Sequence, residues 1–199
     1  MVRRTHTGTT TFAEFVELIP EDQKADLLDG VIYLASPENL EHNDLLGWLT
    51  VVLRPFIEAR GLGRLTINKV AYRFSDRAAP EPDLGFVAAH RADCIKHGYV
   101  DGPPDLAVEI VSPDSVDRDY EAKRRQYEAG GVLEYWIINP LECTATFLVR
   151  EGDGFAEVAC ADNIYRSRVL DGLELDVRWL WERPLPPTMP IVRRLLGEG

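Results

Sequence analysis

The sequence predicts an α/β domain with a mixed β-sheet flanked by helices, and three observations carry that expectation. Two segments, Asp105–Ser112 and Glu134–Asn139, are apolar on both of their alternating faces, as strands in a covered sheet are. Between them lies a helical pattern from about Arg118 to Ala129, so the three together make a βαβ unit. Along the rest of the chain the order is helix, hairpin, helix, several strands, helix, strands, which suits a layered α/β architecture.

Each element has a local reason. Thr11-Phe-Ala-Glu14 has capping-box spacing, so a short helix is expected from Phe12 to about Leu18. Asp29-Gly30 is a hairpin turn joining Ala25–Leu28 to Val31–Ala35. From about Glu38 to Arg60, Leu45, Leu46, Leu49, Val52, Leu53, Phe56 and Ile57 recur at helical spacing, and Gly61 ends the run. Pro55 should bend that helix or break it near Leu53. Arg64–Phe74 alternates as one strand, and Pro82–Ala88 follows as another after the turn-like SDRAAP. Residues 89–104 form a loop with one helical turn. The Arg118–Ala129 helix stops at Gly130-Gly131, and short strands are expected at Ala145–Arg150, Phe155–Ala159 and Leu173–Val177. The proline-rich residues 183–199 are expected to be an extended tail, and residues 1–10 a flexible N-terminus.

The 199 residues fit one domain, and 45% hydrophobic with 28% charged residues is a globular composition. Three cysteines without CxxC spacing argue against both a disulfide framework and a zinc site. No run is long enough for a membrane span, and the N-terminus lacks an apolar signal core, so a cytoplasmic location is expected. The net charge of −11 weighs against bulk electrostatic binding of nucleic acid, although a local basic groove or bound divalent cations would be compatible with it.

The chemistry begins with PPDLAVEIVSP. Glu109 stands in the middle of an apolar strand, where an unpaired carboxylate is costly. The earlier EPDLGFV strand repeats the puzzle with Asp83. Side chains alternate, so Asp83, Gly85 and Val87 share one face, while Asp105, Ala107, Glu109 and Val111 share a face of the later strand. If the two strands are adjacent and aligned, Asp83 and Glu109 converge. Two carboxylates that close repel unless a cation lies between them, and an all-oxygen site favours Mg2+, Mn2+ or Ca2+ over zinc. Tyr120, Lys123 and Tyr127 lie on one face of the following helix, so Lys123 can point over the strand ends toward Glu109. Metal-activated water with a lysine to stabilise charge on phosphorus is equipment for phosphodiester hydrolysis.

The succession PDLGFV, PPDLAVEIVSP and DRDYEAKRRQYEAGGVLEYWIINP resembles the Uma-two restriction-endonuclease family of the PD-(D/E)XK nuclease-like superfamily, from roughly Phe12 to Leu180. The resemblance implies a restriction-endonuclease-like core and a Mg2+-dependent endonuclease, with Mn2+ as substitute, acting on nucleic acid, chiefly DNA, as a homodimer. It assigns the metal to Asp83 and Glu109, with the Ile110 backbone carbonyl as a further ligand. The usual lysine position is Val111, and Lys123 from the helix matches the replacement. Asp26, in ADLLDGV, stands where a glutamate is usual, and His42 matches a histidine at the start of the long helix.

More ordinary roles are available for other residues. Asp105 is a strand-end acid, Ser112 a turn cap, Tyr135 and Trp136 sheet core, and Asp114, Asp117 and Asp119 a polar lead-in to the helix. Arg124 and Arg125 face solvent. Two rival functions are a catalytically silent nuclease-fold binding module and a metal-dependent hydrolase of small phosphoesters. An open cleft lined by Arg64, Arg73 and Arg124 would favour DNA, and a compact closed pocket the small phosphoester.

Overall fold

The computed structural model describes residues 9–20, 22–36 and 39–198. The expected flexible N-terminus lies almost wholly outside them. Helix α1 (Phe12–Leu18) starts on the capping box: Thr11 Oγ1 accepts from the Glu14 N–H, and the Glu14 carboxylate accepts from the Thr11 N–H at 2.8 Å. Its Phe12 and Phe15 bury against the hairpin of β1 (Ala25–Leu28) and β2 (Val31–Leu34). Asp29 and Gly30 have φ of 51° and 75°, the two left-handed residues that a tight hairpin turn requires.

Helix α2 (Leu40–Ala59) runs unbroken through Pro55, so the break allowed for near Leu53 does not occur. Proline removes the N–H that would bond the Val51 carbonyl, but Val51 lies on the exposed face, where water can replace that bond. The predicted Arg64–Phe74 strand is two strands, β3 (Gly63–Ile67) and β4 (Ala71–Arg73). Asn68 and Lys69 between them have φ of 37° and 50°, a left-handed turn that alternating hydrophobicity cannot reveal. There follow β5 (Leu84–Ala88), a 3-10 turn (Ala89–Cys94), β6 (Tyr99–Asp101), which was not predicted and pairs with β4, and β7 (Leu106–Ile110).

A π-helical turn (Arg118–Lys123) leads into α3 (Arg124–Gly130), capped by Gly131 at φ 88°. Then come β8 (Glu134–Asn139), β9 (Thr144–Glu151), β10 (Gly154–Glu157), the unpredicted β11 (Ile164–Arg166), and β12 (Glu174–Asp176). The tail is a correction too: Thr188–Leu196 is a helix, α4, not extended chain. Pro190 falls in its first turn, where N–H groups lack helical partners anyway, and Ile191, Val192 and Leu195 are buried.

The main sheet has the order β10-β9-β8-β7-β5-β3, with β7 and β8 parallel and the other neighbours antiparallel. Leu84, Phe86, Leu106, Val108 and Ile110 pack in one core with α2, while Ala107, Val111, Tyr135 and Ile137 pack on the opposite face with Tyr127 of α3. Both faces are therefore covered, which explains the doubly apolar strands. No helix among the described residues is long and apolar enough to cross a membrane.

Candidate functional site

Strands β5 and β7 pair Leu84 with Val108 and Gly85 with Ala107, so the next step of the register brings Asp83 opposite Glu109. The convergence expected from the alternation is present. Both carboxylates are 2% exposed. Asp83 Oδ2 accepts the Ile110 N–H at 2.7 Å, tying the two strand ends together. Its Oδ1 is ion-paired to Lys24, and His42 Nε2 lies 3.4 Å from the same oxygen. Burial alone would raise the Asp83 pKa, but the Lys24 ammonium and His42 outweigh it and hold the group well below the usual carboxylate range.

Glu109 has a different environment. Its Oε1 accepts from Lys123 Nζ at 2.9 Å and from the Tyr127 hydroxyl at 2.5 Å. Among the described residues no hydrogen bond falls on Oε2. Burial pushes its pKa up to about 7 in spite of Lys123. Lys123 is itself 2% exposed and also lies 3.2 Å from Asp26 Oδ2 and 3.9 Å from Asp119 Oδ1. Burial would lower its pKa, but Asp26, Glu109 and Asp119 outweigh that and raise it. Asp26 is buried, accepts the Glu81 N–H at 2.9 Å on Oδ1, and turns Oδ2 toward Lys123 and Arg118.

All five side chains expected at the site, Asp83, Glu109, Lys123, Asp26 and His42, line one cleft of about 40 Å³, together with Ile110. That volume admits a few waters or a small hydrated ion, not a nucleobase. Among the described residues no three His, Cys, Asp or Glu side chains already form a metal cage. The donor chemistry nevertheless fits a hard divalent cation: Asp83 and Glu109 supply carboxylate oxygens with Glu109 Oε2 unengaged, and Ile110 lines the same cleft.

Several participants escaped the sequence reasoning. Lys24 pairs with Asp83, and its spacing of two from Asp26 was the available signal, since alternate residues of an extended segment share a face. Asp119 is no exposed lead-in: it is 2% exposed, accepts the Ser115 hydroxyl at 2.5 Å, and faces Lys123 one turn on. Burial pushes its pKa up to about 6. Arg118 also lines the cleft, whereas Arg64, Arg73 and Arg124 do not. The arginine-lined cleft expected for DNA is therefore not found among the described residues, and the small cleft keeps the small-phosphoester hydrolase as a rival reading. Arg118 falls outside any α-helical pattern with Lys123. The π turn, with bonds from i+5 to i, brings positions 118 and 123 closer to one face than an α-helix would.

The ordinary readings hold for the rest except Ser112. Asp105 accepts the Ala88 N–H at 2.7 Å and pairs with Arg91 at the strand end. Tyr135 and Trp136 are fully buried core, but the turn after β7 is capped by the Ser115 hydroxyl, which accepts the Ser112 N–H at 2.9 Å, and not by Ser112, which lines the cleft.

Residues 12–178 match the Uma2 (Uma-two) family, described as "Putative restriction endonuclease". Among solved structures, the chain resembles a putative nuclease belonging to DUF820 from Anabaena variabilis, with a TM-score of 0.72 and 19% sequence identity over 86% of this chain and 97% of that one. At that identity the likeness establishes the fold. No curated protein matched the sequence.

Proposed function

The chain belongs to the Uma2 family, and from that premise we propose that it is a metal-dependent endonuclease that hydrolyses phosphodiester bonds, most of all in DNA. The observation that carries the proposal is the facing of Asp83 and Glu109 across paired strands, with a buried lysine bonded to Glu109. Asp83, Glu109 and the Ile110 carbonyl would hold Mg2+ or Mn2+. Such an ion supplies a Lewis acid for the phosphate and lowers the pKa of a water in the cleft.

The chain's own groups do the remaining work. Lys24 and His42 keep Asp83 ionised and oriented. Tyr127 and Lys123 fix Glu109 Oε1, leaving its second oxygen toward the cleft. Lys123 carries a full positive charge beside the strand acids and stabilises negative charge growing on the phosphoryl oxygens. Asp26 anchors that ammonium from the other side, a task within reach of its short side chain. The cleft is too small for a base, so the reacting phosphate would meet these groups at its mouth while the bases remain outside. Duplex cleavage would then require two chains, each cutting one strand.

A second reading, a silent nuclease-fold binding module, is favoured by one observation: both strand acids already have lysine partners. Calorimetric titration of Mn2+ or Mg2+ into wild type and Glu109→Ala, with plasmid nicking in parallel, separates the two. Metal binding and nicking that are both lost in Glu109→Ala are the expected result. Metal binding without nicking by wild type would favour the silent module, and no metal binding would sink the mechanism.

A further inference from the structure

Arg118 has an arrangement that its protein surroundings do not explain. Its side chain is 12% exposed, yet Nε and one terminal nitrogen are buried without a hydrogen-bond acceptor among the described residues. Nε lies 3.5 Å from Asp26 Oδ2, an ion pair but not a hydrogen bond. Buried donors are almost always satisfied, and a guanidinium is the side chain with the most donors to satisfy. A site that keeps them unpaired is built for an acceptor that arrives from outside.

The surroundings restrict what that acceptor can be. Arg118 lines the acid cleft with Asp83, Glu109 and Lys123, and it also borders a neighbouring open groove that carries Asp114, Asp117 and Glu121 against Arg125. It therefore stands at the boundary between the candidate reacting centre and the open surface. Burial disfavours its charge, but Asp26, Asp119 and Glu109 outweigh that and raise its pKa further, so it is a permanent cation. The π turn that brings it near the face of Lys123 is rare in itself and frequent at functional sites. A planar fork of donors matches the oxygens of a phosphodiester, which it can engage with two bonds.

We propose that Arg118 binds the substrate's phosphodiester, gripping its non-bridging oxygens beside Lys123. The inference rests on the endonuclease reading above and names the residue that recognises the substrate's phosphate.

The test compares wild type, Arg118→Lys and Arg118→Ala for binding of a fluorescent duplex oligonucleotide by anisotropy in Ca2+. Plasmid nicking and Mn2+ calorimetry are measured on the same preparations. Loss of charged hydrogen bonds should weaken duplex binding by Arg118→Ala roughly 10- to 100-fold. Arg118→Lys should fall between, because it keeps the charge without the fork, and Mn2+ affinity should not decrease in either variant. Millimolar guanidinium should restore nicking to Arg118→Ala but not to Glu109→Ala, an effect a merely structural role would not give. Equal duplex binding by wild type and Arg118→Ala would overturn the role of Arg118 while leaving the nuclease reading intact. Parallel loss of metal and duplex binding without guanidinium rescue would make Arg118 structural. A wild type that neither binds duplex nor nicks would overturn both readings.

Discussion

Replacing Lys123 by methionine tests how the buried charges are held. The ammonium lies 2.9 Å from Glu109, 3.2 Å from Asp26 and 3.9 Å from Asp119, and all four groups are almost inaccessible. At an effective dielectric of 20, one contact near 3 Å is worth about 5 kcal/mol before desolvation of the ammonium is subtracted. Deleting one partner of a buried ionic cluster commonly costs about 3–5 kcal/mol, and that is the loss expected here at about pH 8.5 in EDTA.

The loss should depend on pH, and its sign follows from the raised carboxyl groups. Glu109 at about 7 and Asp119 at about 6 lie above their unfolded values, so folding takes up protons and wild-type stability falls as pH rises through that range. Without Lys123 both groups rise further, each added unit being worth about 1.4 kcal/mol. The variant should therefore lose more stability with rising pH than wild type does. Urea denaturation at about pH 5.5 and 8.5 measures this, with a deficit smaller by about 1–3 kcal/mol at the lower pH. A pH-independent deficit, or none, would refute the account of Lys123 as counter-cation to these acids.

Two further substitutions separate site from scaffold. A Cβ on Gly85 would come within 2.3 Å of the Tyr72 hydroxyl, which is buried and bonded to Thr66 at 2.8 Å. Gly85→Ala should destabilise by about 1–3 kcal/mol in urea melts and, by shifting β5, weaken metal binding; unchanged stability would contradict the packing. Glu134, by contrast, binds the Ser167 hydroxyl and the Arg168 and Val169 N–H groups at 2.8–3.0 Å through Oε2, and the Trp136 indole at 2.6 Å through Oε1. Glu134→Ala leaves these donors without their acceptor and should cost about 3 kcal/mol or more while metal affinity, measured calorimetrically, stays as in wild type.

The parts of this protein that announce themselves in sequence are those with a strong local cause. The Phe12–Leu18 helix has a capping box, the Asp29-Gly30 turn needs left-handed residues, and Glu134–Asn139 is a strand with no competing pattern. Period-two alternation was enough to put Asp83 and Glu109 on facing positions once their strands paired. What it could not reveal depended on long-range contact or unusual backbone. Tyr99–Asp101 is a strand because Ala71–Arg73 lies beside it, not from any pattern of its own. Helix α4 is stabilised by burying Ile191, Val192 and Leu195, which outweighs the prolines before it. Asp119 looked like a helix-start acid, and its burial is decided by Ser115 and Lys123. Arg118 joins the cleft through a π turn, whose register no α-helical spacing anticipates.

The balance of charge around the cleft connects the fold to the proposed metal. Asp26, Glu81, Asp83, Glu109 and Asp119 are all buried, against Lys24, Arg118 and Lys123, which leaves an excess of two negative charges when every acid is ionised. Without a further cation the excess is relieved by protonation: burial pushes Glu81 up to about 8, Glu109 to about 7 and Asp119 to about 6. A divalent cation would cancel the excess and displace those protons, so its binding should be weak in acid and strong above neutrality. At a hundredfold excess over its dissociation constant it should stabilise the fold by about 2.7 kcal/mol, raising the melting temperature by about 5–10 °C. Thermal melts with and without Mg2+ at about pH 8.5 should show that shift, and at about pH 5.5 most of it should vanish as Glu109 keeps its proton. An equal shift at both values would separate the binding site from Glu109. No shift at either would mean that the acids are balanced by protons and lysines alone, and the metal-dependent reading would fall with them.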